Sequence, residues 1–162
     1  MDIRLRPLGP GEYDAFVQAA RDEYAADIAA NGGRAPNEAR AKAEADIAAL
    51  LPAGPATPGQ HIEIIVNADT GEAVGRLWFA ERGEEGERHI YLYAIEIDEE
   101  HRGRGAGRAA MLAFEDEARS LGYDSVKLNV FGTNSRARRL YDSLGYTEIA
   151  VEMTKRLSPP RA

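Results

Sequence analysis

Three β-rich runs follow one another across residues 61–98, with only two short turns between them. In HIEIIVNADTGEAVGRLWFAERG, residues 61–83, two runs flank an Asp69-Thr70-Gly71 turn and read as a hairpin. A charged turn, EEGE at 84–87, leads into HIYLYAIEID, residues 89–98, the longest strand candidate in the chain. Connections this short join only antiparallel neighbours, because a parallel pair needs a crossover of about a dozen residues or more. The middle of the chain is therefore an antiparallel meander, and every other element must be arranged around it.

Before the meander, Ile3 and Leu5 alternate with arginines and predict a short first strand. Tyr13, Phe16, Val17, Ala20 and Tyr24 recur at helical spacing, in a helix that fades near Asn31-Gly32-Gly33. Residues 37–51, rich in Ala and Glu, predict a second helix stopped by Pro52-Ala53-Gly54-Pro55. After the meander, Met111, Phe114, Ala118 and Leu121 mark a helix ending at Gly122, and SVKLNVF at 125–131 is the next strand. Asn134 and Ser135 are both N-cap candidates for a helix with the stripe Ala137, Leu140, Tyr141 and Leu144. Gly145 ends it, TEIAVEMTKRL at 147–157 reads as a last strand, and residues 158–162 as a flexible C-terminal tail. The order β-α-α-β-β-β-α-β-α-β predicts a mixed α/β fold: one part-antiparallel, part-parallel sheet, helices on both faces, and a single domain over residues 1–157.

Charge and composition exclude several classes. At 162 residues, with 44% hydrophobic and 29% charged residues, the chain can bury a proper core. A net charge of −7 argues against a general nucleic-acid surface. No apolar run approaches a membrane span, and the opening MDIRLRPL has no stretch of signal-peptide type, so a cytoplasmic protein with no membrane partner is expected. Without cysteine there is no disulfide, thiolate metal site or cysteine nucleophile. His61, His89 and His101 lie far apart in the sequence, and no metal is expected.

Against that acidic background HRGRGAGR, residues 101–108, gathers three glycines, three arginines and a histidine with no carboxylate. It falls between a strand and a helix. Backbone N–H groups at a helix start lack partners and sit at the positive end of the helix dipole. Glycine leaves room for an anion there, and Arg102, Arg104 and Arg108 add charge around the rim. The physical reading is a phosphate or pyrophosphate pocket; the plainer one is a turn kept glycine-rich for geometry. A Walker loop is excluded, since the chain has no Gly-Lys pair. Gly105-x-Gly107-x-x-Ala110 meets the loose dinucleotide pattern, but it comes late, behind the meander, and no acidic residue follows at the position that would hold a ribose.

Arg102-x-x-Gly105-x-Gly107, after a strand ending Ala94-Ile95-Glu96-Ile97, resembles the acetyl-CoA loop of the GCN5-related N-acetyltransferases (GNAT superfamily). A second match, Asn134-x-x-Ala137-x-x-Leu140-Tyr141-x-x-x-Gly145-Tyr146, is similar to that family's usual ending, with Tyr in place of its final Phe. The family often has Pro shortly before the loop, where this chain has Glu99 or Glu100. The resemblance covers residues 62–157 well and the N-terminal 60 residues by element order.

The resemblance implies acetyl-CoA as co-substrate. The backbone of Arg102, Gly103, Arg104, Gly105, Ala106, Gly107 and Arg108 would wrap its pyrophosphate. Ile95 and Ile97 would offer strand-edge groups to the pantetheine amides, and core packing of their side chains is compatible with that. Asn134 would bond the pantetheine arm or else simply cap its helix, and Ala137 would leave room beside it. Arg136, Arg138 and Arg139 would approach the phosphates or else, as the preferred reading, form a solvated helix face. Tyr141 would protonate the departing CoA thiolate, its alternative being a core tyrosine. Glu96 would take the amine's proton, directly or through water, or else be a solvent-facing strand carboxylate; Asn129 and Tyr93 are further polar candidates. The mechanism implied is direct transfer to a primary amine in a ternary complex, with strand amides steadying the oxyanion.

Residues 1–60 carry nine acidic and six basic residues, a net of −3, with Tyr13, Tyr24, Asp22, Glu23 and Asp27 close in sequence. A negative wall suits a cationic amine, whether small molecule or peptide. Two readings compete: a non-catalytic acyl-CoA-binding module and a dinucleotide-binding oxidoreductase. Many members of the family pair as homodimers, and the sequence leaves the oligomeric state open.

Overall fold

The meander forms as the short turns dictate. β1 (Ile3–Pro7), β2 (Gln60–Asn67), β3 (Ala73–Arg82) and β4 (His89–Ile97) pair antiparallel in sequence order, and β5 (Val126–Leu128) joins β4 in parallel. The fold is the mixed α/β sheet the element order predicts. The computed structural model describes residues 1–155 and 157, so the expected tail at 158–162 lies outside the described residues. The chain divides into two compact units, Met1–Phe131 and Gly132–Ala162.

In the first unit the two sheet faces take different helices, because side chains alternate along each strand. On one face Trp78 packs against α1 (Glu12–Gly32) and α2 (Pro36–Leu50), in a cluster with Phe16, Val17, Ala20, Ile47 and Leu51. Phe16 meets Trp78 edge-on, ring centroids 5.9 Å apart. On the other face Phe79 lies 5.2 Å from Phe114 of α3 (Ala106–Ser120). Ala25, Ile28, Ala39 and Ala43 form the buried seam between α1 and α2, which Tyr24 ties by donating to Asp46 at 3.0 Å. Glu12, the first residue of α1, accepts from the Gly9 N–H in the turn before the helix, and its bidentate pair with Arg6 holds its carboxyl down at about 2.

One irregularity shapes the centre of the sheet. Trp78 pairs with Ala94 but Phe79 pairs with Leu92, so Tyr93 is an extra residue on β4. Such a bulge bends and twists its strand. β5 pairs with β4 only as far as Leu92↔Leu128, and the two strands part where the bulge begins. The strand expected over 125–131 is accordingly cut to Val126–Leu128: its partner turns away, and unpaired backbone does not stay in a sheet.

In the second unit α4 (Ser135–Ser143) forms as the stripe predicts, and Asn134 is its cap, accepting the Ala137 N–H at 3.1 Å. The last strand expected over 147–157 is absent among the described residues. Ile149, Val151 and Met153 have the period-2 spacing of a strand but are 82%, 68% and 89% exposed. Alternation marks a candidate face; only a paired edge makes a strand, and this segment has none among the described residues.

Candidate active site

Past Leu92 the edge of β4 that faced β5 has no strand partner among the described residues. The Asp98 N–H donates to the Val74 carbonyl at 2.9 Å and so points at β3. Backbone groups alternate along a strand, so those of Ile95 and Ile97 point the other way, to the uncovered edge. Their side chains, opposite Leu77 and Gly75, lie on the α3 face. Both side chains are half-buried.

The edge runs into the glycine loop through the turn Glu99–His101. Gly103 and Gly105 take φ of +77° and +81°, and a Cβ on either would meet nothing within 4 Å. The left-handed backbone demands glycine at 105, and the space above it is open. Gly105 is the N-cap of α3, with no side-chain cap and no acidic residue in the first turn. The first backbone bond is Ala109 N–H to Gly105 C=O at 3.0 Å, so the amides of Ala106 and Gly107 are orphan donors of a helix start. Arg104 and Arg108 are exposed beside them, and Ala106 is buried. Neither α1 nor α3 has a side-chain cap, but α1 carries Glu12 and Asp14 in its first turn whereas α3 carries no acidic residue there.

Arg102 serves a different purpose from the other two. Its Nε donates to the Ile97 carbonyl at 2.7 Å, and its guanidinium reaches Glu96 at 3.5 Å. It ties the first residue of the loop to the last residue of the strand. Glu96 also pairs with Arg76, its neighbour across β3, and keeps a side-chain exposure of only 19%. The solvent-facing alternative for Glu96 is therefore wrong. Gly75 makes the approach possible: a Cβ there would overlap the Glu96 carbonyl oxygen and come within 3.1 Å of the Ile97 Cα.

Glu96 faces the α1–α2 side of the sheet, with Arg76 and Trp78. From α1, Glu23 lies in the field of both Arg76 and Arg102. Desolvation pushes the Glu23 carboxyl up, and the two guanidiniums only partly offset it; Asp27, one turn on, is raised by desolvation and by Glu23. Arg76 was missed in the sequence because its pairing depends on the bulge at Tyr93, which shifts the register unannounced. Of the other polar candidates, Tyr93 stacks on Trp78 and accepts from Arg82, while Asn129 is exposed beyond the end of β5. A shallow pocket between α1 and α2, lined by Tyr13, Arg21, Ile47 and Leu51, takes no residue from β4 or the loop.

In the second unit Tyr141 is half-buried, its ring 5.7 Å from that of Tyr146, whose N–H donates to the Tyr141 carbonyl. Asn134 spends its Oδ1 on the helix cap, which leaves its amide nitrogen for another partner, and Ala137 is half-buried on the same turn. Arg136 and Arg139 are exposed, and Arg138 pairs with Glu148. Among the described residues no group of three or more His, Cys, Asp or Glu side chains could hold a metal, and no helix is long and apolar enough to cross a membrane.

Comparison with known proteins bears on these features. Residues 34–146 match the model of the acetyltransferase (GNAT) family. The uncharacterized N-acetyltransferase YycN of Bacillus subtilis is 30% identical over 157 residues, covering 97% of this chain and all of that one. Its crystal structure superposes with a TM-score of 0.91, at 29% identity over 97% of this chain and 99% of that chain. A mycothiol acetyltransferase of Thermobispora bispora is 45% identical over a shorter stretch of 65 residues, 40% of this chain and 22% of that protein.

Proposed function

The chain belongs to the acetyltransferase (GNAT) family of acyl-CoA-dependent enzymes, and on that premise we propose that it moves the acetyl group of acetyl-CoA directly to a primary amine in a ternary complex. The observation that carries the reading is the unpaired edge of β4, Ile95 to Ile97, followed through the turn Glu99–His101 and the glycine loop by a helix with no acidic residue in its first turn. An amide-bearing arm ending in a pyrophosphate has the chemistry this run asks for: donors and acceptors along the edge, then orphan N–H groups and the positive end of a dipole. The backbone from Arg102 to Arg108 would hold the pyrophosphate, and Ile95 and Ile97 the arm. Asn134, through its amide nitrogen, and Ala137 would stand beside that arm.

In this reading the neutral amine attacks the thioester carbonyl, N–H groups of the β4 edge stabilise the oxyanion, and the Tyr141 hydroxyl gives its proton to the leaving thiolate. Glu96 keeps Arg76 and Arg102 at the end of the strand. The family match, residues 34–146, reaches from the first compact unit into the second, and the match to YycN over 157 residues supports one acetyltransferase domain over residues 1–157. A cytoplasmic location and acceptors of cationic type belong to the same proposal. Thermal melting tests it. A ligand at ~100 times its Kd stabilises a fold by ~2.7 kcal/mol, so acetyl-CoA should raise the melting temperature while NAD and ATP do not. A shift with NAD alone would replace the reading with the dinucleotide one.

A further inference from the structure

The acceptor of the proposed reaction is a primary amine, and the chain itself carries three lysines, Lys42, Lys127 and Lys155. Lys42 of α2 spends its ammonium on Asp46, one turn on, at 2.7 Å. Lys155 lies in the second unit, in no helix or strand. Lys127, the middle residue of β5, is exposed and makes no hydrogen bond or ion pair among the described residues. Its place in the sheet sets it apart. β5 pairs with β4 through Ile90↔Val126, Tyr91↔Lys127 and Leu92↔Leu128, and there the ladder ends. Lys127 thus stands one residue before the point where the edge of β4 loses its partner, about 4.8 Å of strand spacing away from it. Leu92 lies opposite Phe79 on the α3 face, so Leu128 beside it shares that face, and Lys127 projects with Tyr91 from the other. The α-amino group of Met1 precedes β1, at the opposite edge of the sheet.

An arm whose pyrophosphate sits at the start of α3, and whose amides follow Ile97 and Ile95, ends towards Leu92, the inner end of the unpaired edge. From Ile97 to Leu92 is about 16 Å of extended strand. The thioester end is therefore directed at the last ladder pairs of β4 and β5, and the flexible four-carbon stem of Lys127 lets its ε-amine swing towards it. We propose that Lys127 is a self-acetylation site, its ε-amine accepting the acetyl group of acetyl-CoA held by the same chain; the proposal rests on the acetyltransferase reading above. The step balances without a further reactant. The exposed ammonium gives one proton to water. Its nitrogen bonds to the thioester carbon, the carbon–sulfur bond breaks, and the proton that the nitrogen sheds on becoming an amide is matched by one taken up by the thiol. Within one chain the transfer draws on proximity, with no acceptor to be recognised. It leaves a neutral amide where a cation stood.

Two measurements on the full chain test this without the natural acceptor. Carbon-13 labelling of the lysine Cε atoms gives one resonance per lysine, and Lys127 is assigned by its loss in Lys127→Arg. Addition of CoA, which carries no acetyl group, should move the Lys127 resonance further than those of Lys42 and Lys155. Mass spectrometry after incubation with acetyl-CoA should find Lys127 acetylated at least ~10-fold faster than either other lysine, a small part of what proximity can supply. The rate per chain should not change with protein concentration, and excess CoA should suppress it. Lys127→Arg should keep the melting shift with acetyl-CoA. A Lys127 resonance that ignores CoA, acetylation spread evenly over the three lysines, or a rate that rises with protein concentration, while acetyl-CoA still raises the melting temperature, overturns the proposal. Absence of any melting shift with acetyl-CoA would instead strike the acetyltransferase reading, and the two failures stay distinct.

Discussion

The Nε of Arg102 donates to the main-chain carbonyl of Ile97 at 2.7 Å, so the glycine loop is fastened to the strand edge it continues. This bond, which takes the Ile97 carbonyl, fixes where the orphan amides of α3 stand relative to the N–H groups of Ile95 and Ile97. Arg102→Ala should therefore raise the Kd for acetyl-CoA by about tenfold, the ~1.5 kcal/mol of one charge-assisted hydrogen bond. Fold stability should change by less than about 1 kcal/mol, because the side chain is solvent-accessible. Calorimetric titration beside a denaturant melt separates the two effects. Unchanged affinity would mean that the loop holds its place without the tie.

Gly75 should be intolerant of even one methyl group. Its Cβ would run into the backbone of Glu96 and Ile97, which cannot step aside as a flexible side chain would. Gly75→Ala should cost at least ~1–3 kcal/mol and displace the end of β4. Acetyl-CoA affinity should fall with it. A variant that melts and binds like the parent would show that the two strands approach less closely than described.

Tyr141→Phe removes a hydroxyl and little else. Acetyl-CoA affinity should stay within about twofold, while kcat falls by ~10²–10⁴ if the hydroxyl protonates the leaving thiolate. Thiol release with a saturating acceptor, beside a binding titration, reads both. Equal loss of binding and turnover would make Tyr141 a packing residue.

The Arg6–Glu12 pair predicts a pH dependence of stability. The folded-state pKa of Glu12 is depressed to about 2, below its unfolded value, so its contribution is fully present above the ordinary carboxylate range. It is lost as pH falls from about 4.5 towards 2. Glu12→Gln should flatten that part of the melting-temperature profile and leave the region above pH ~5 parallel to the parent. A profile of unchanged shape would place the acid sensitivity in other carboxylates.

The sequence carried the outline well and the irregularities poorly. The meander, α1, α2, α3 and α4, the Asn134 cap and the glycine loop were legible because each depends on local spacing or turn chemistry. The bulge at Tyr93 was not, since nothing in HIYLYAIEID marks where a residue leaves the ladder. With the bulge went the register of Arg76 on Glu96 and the point at which β5 departs. Residues 147–157 failed for a related reason: Ile149, Val151 and Met153 alternate like a strand, but pairing is a property of two segments and cannot be read from one.

The most direct test of the central claim is backbone amide NMR of the nitrogen-15-labelled chain during titration with acetyl-CoA. The largest shifts should fall on Ile95, Ile97 and the run Gly103 to Gly107, the edge and the helix start that together would hold the arm and the pyrophosphate. Shifts gathered instead around Tyr13, Arg21 and Leu51, in the pocket between α1 and α2, would contradict it.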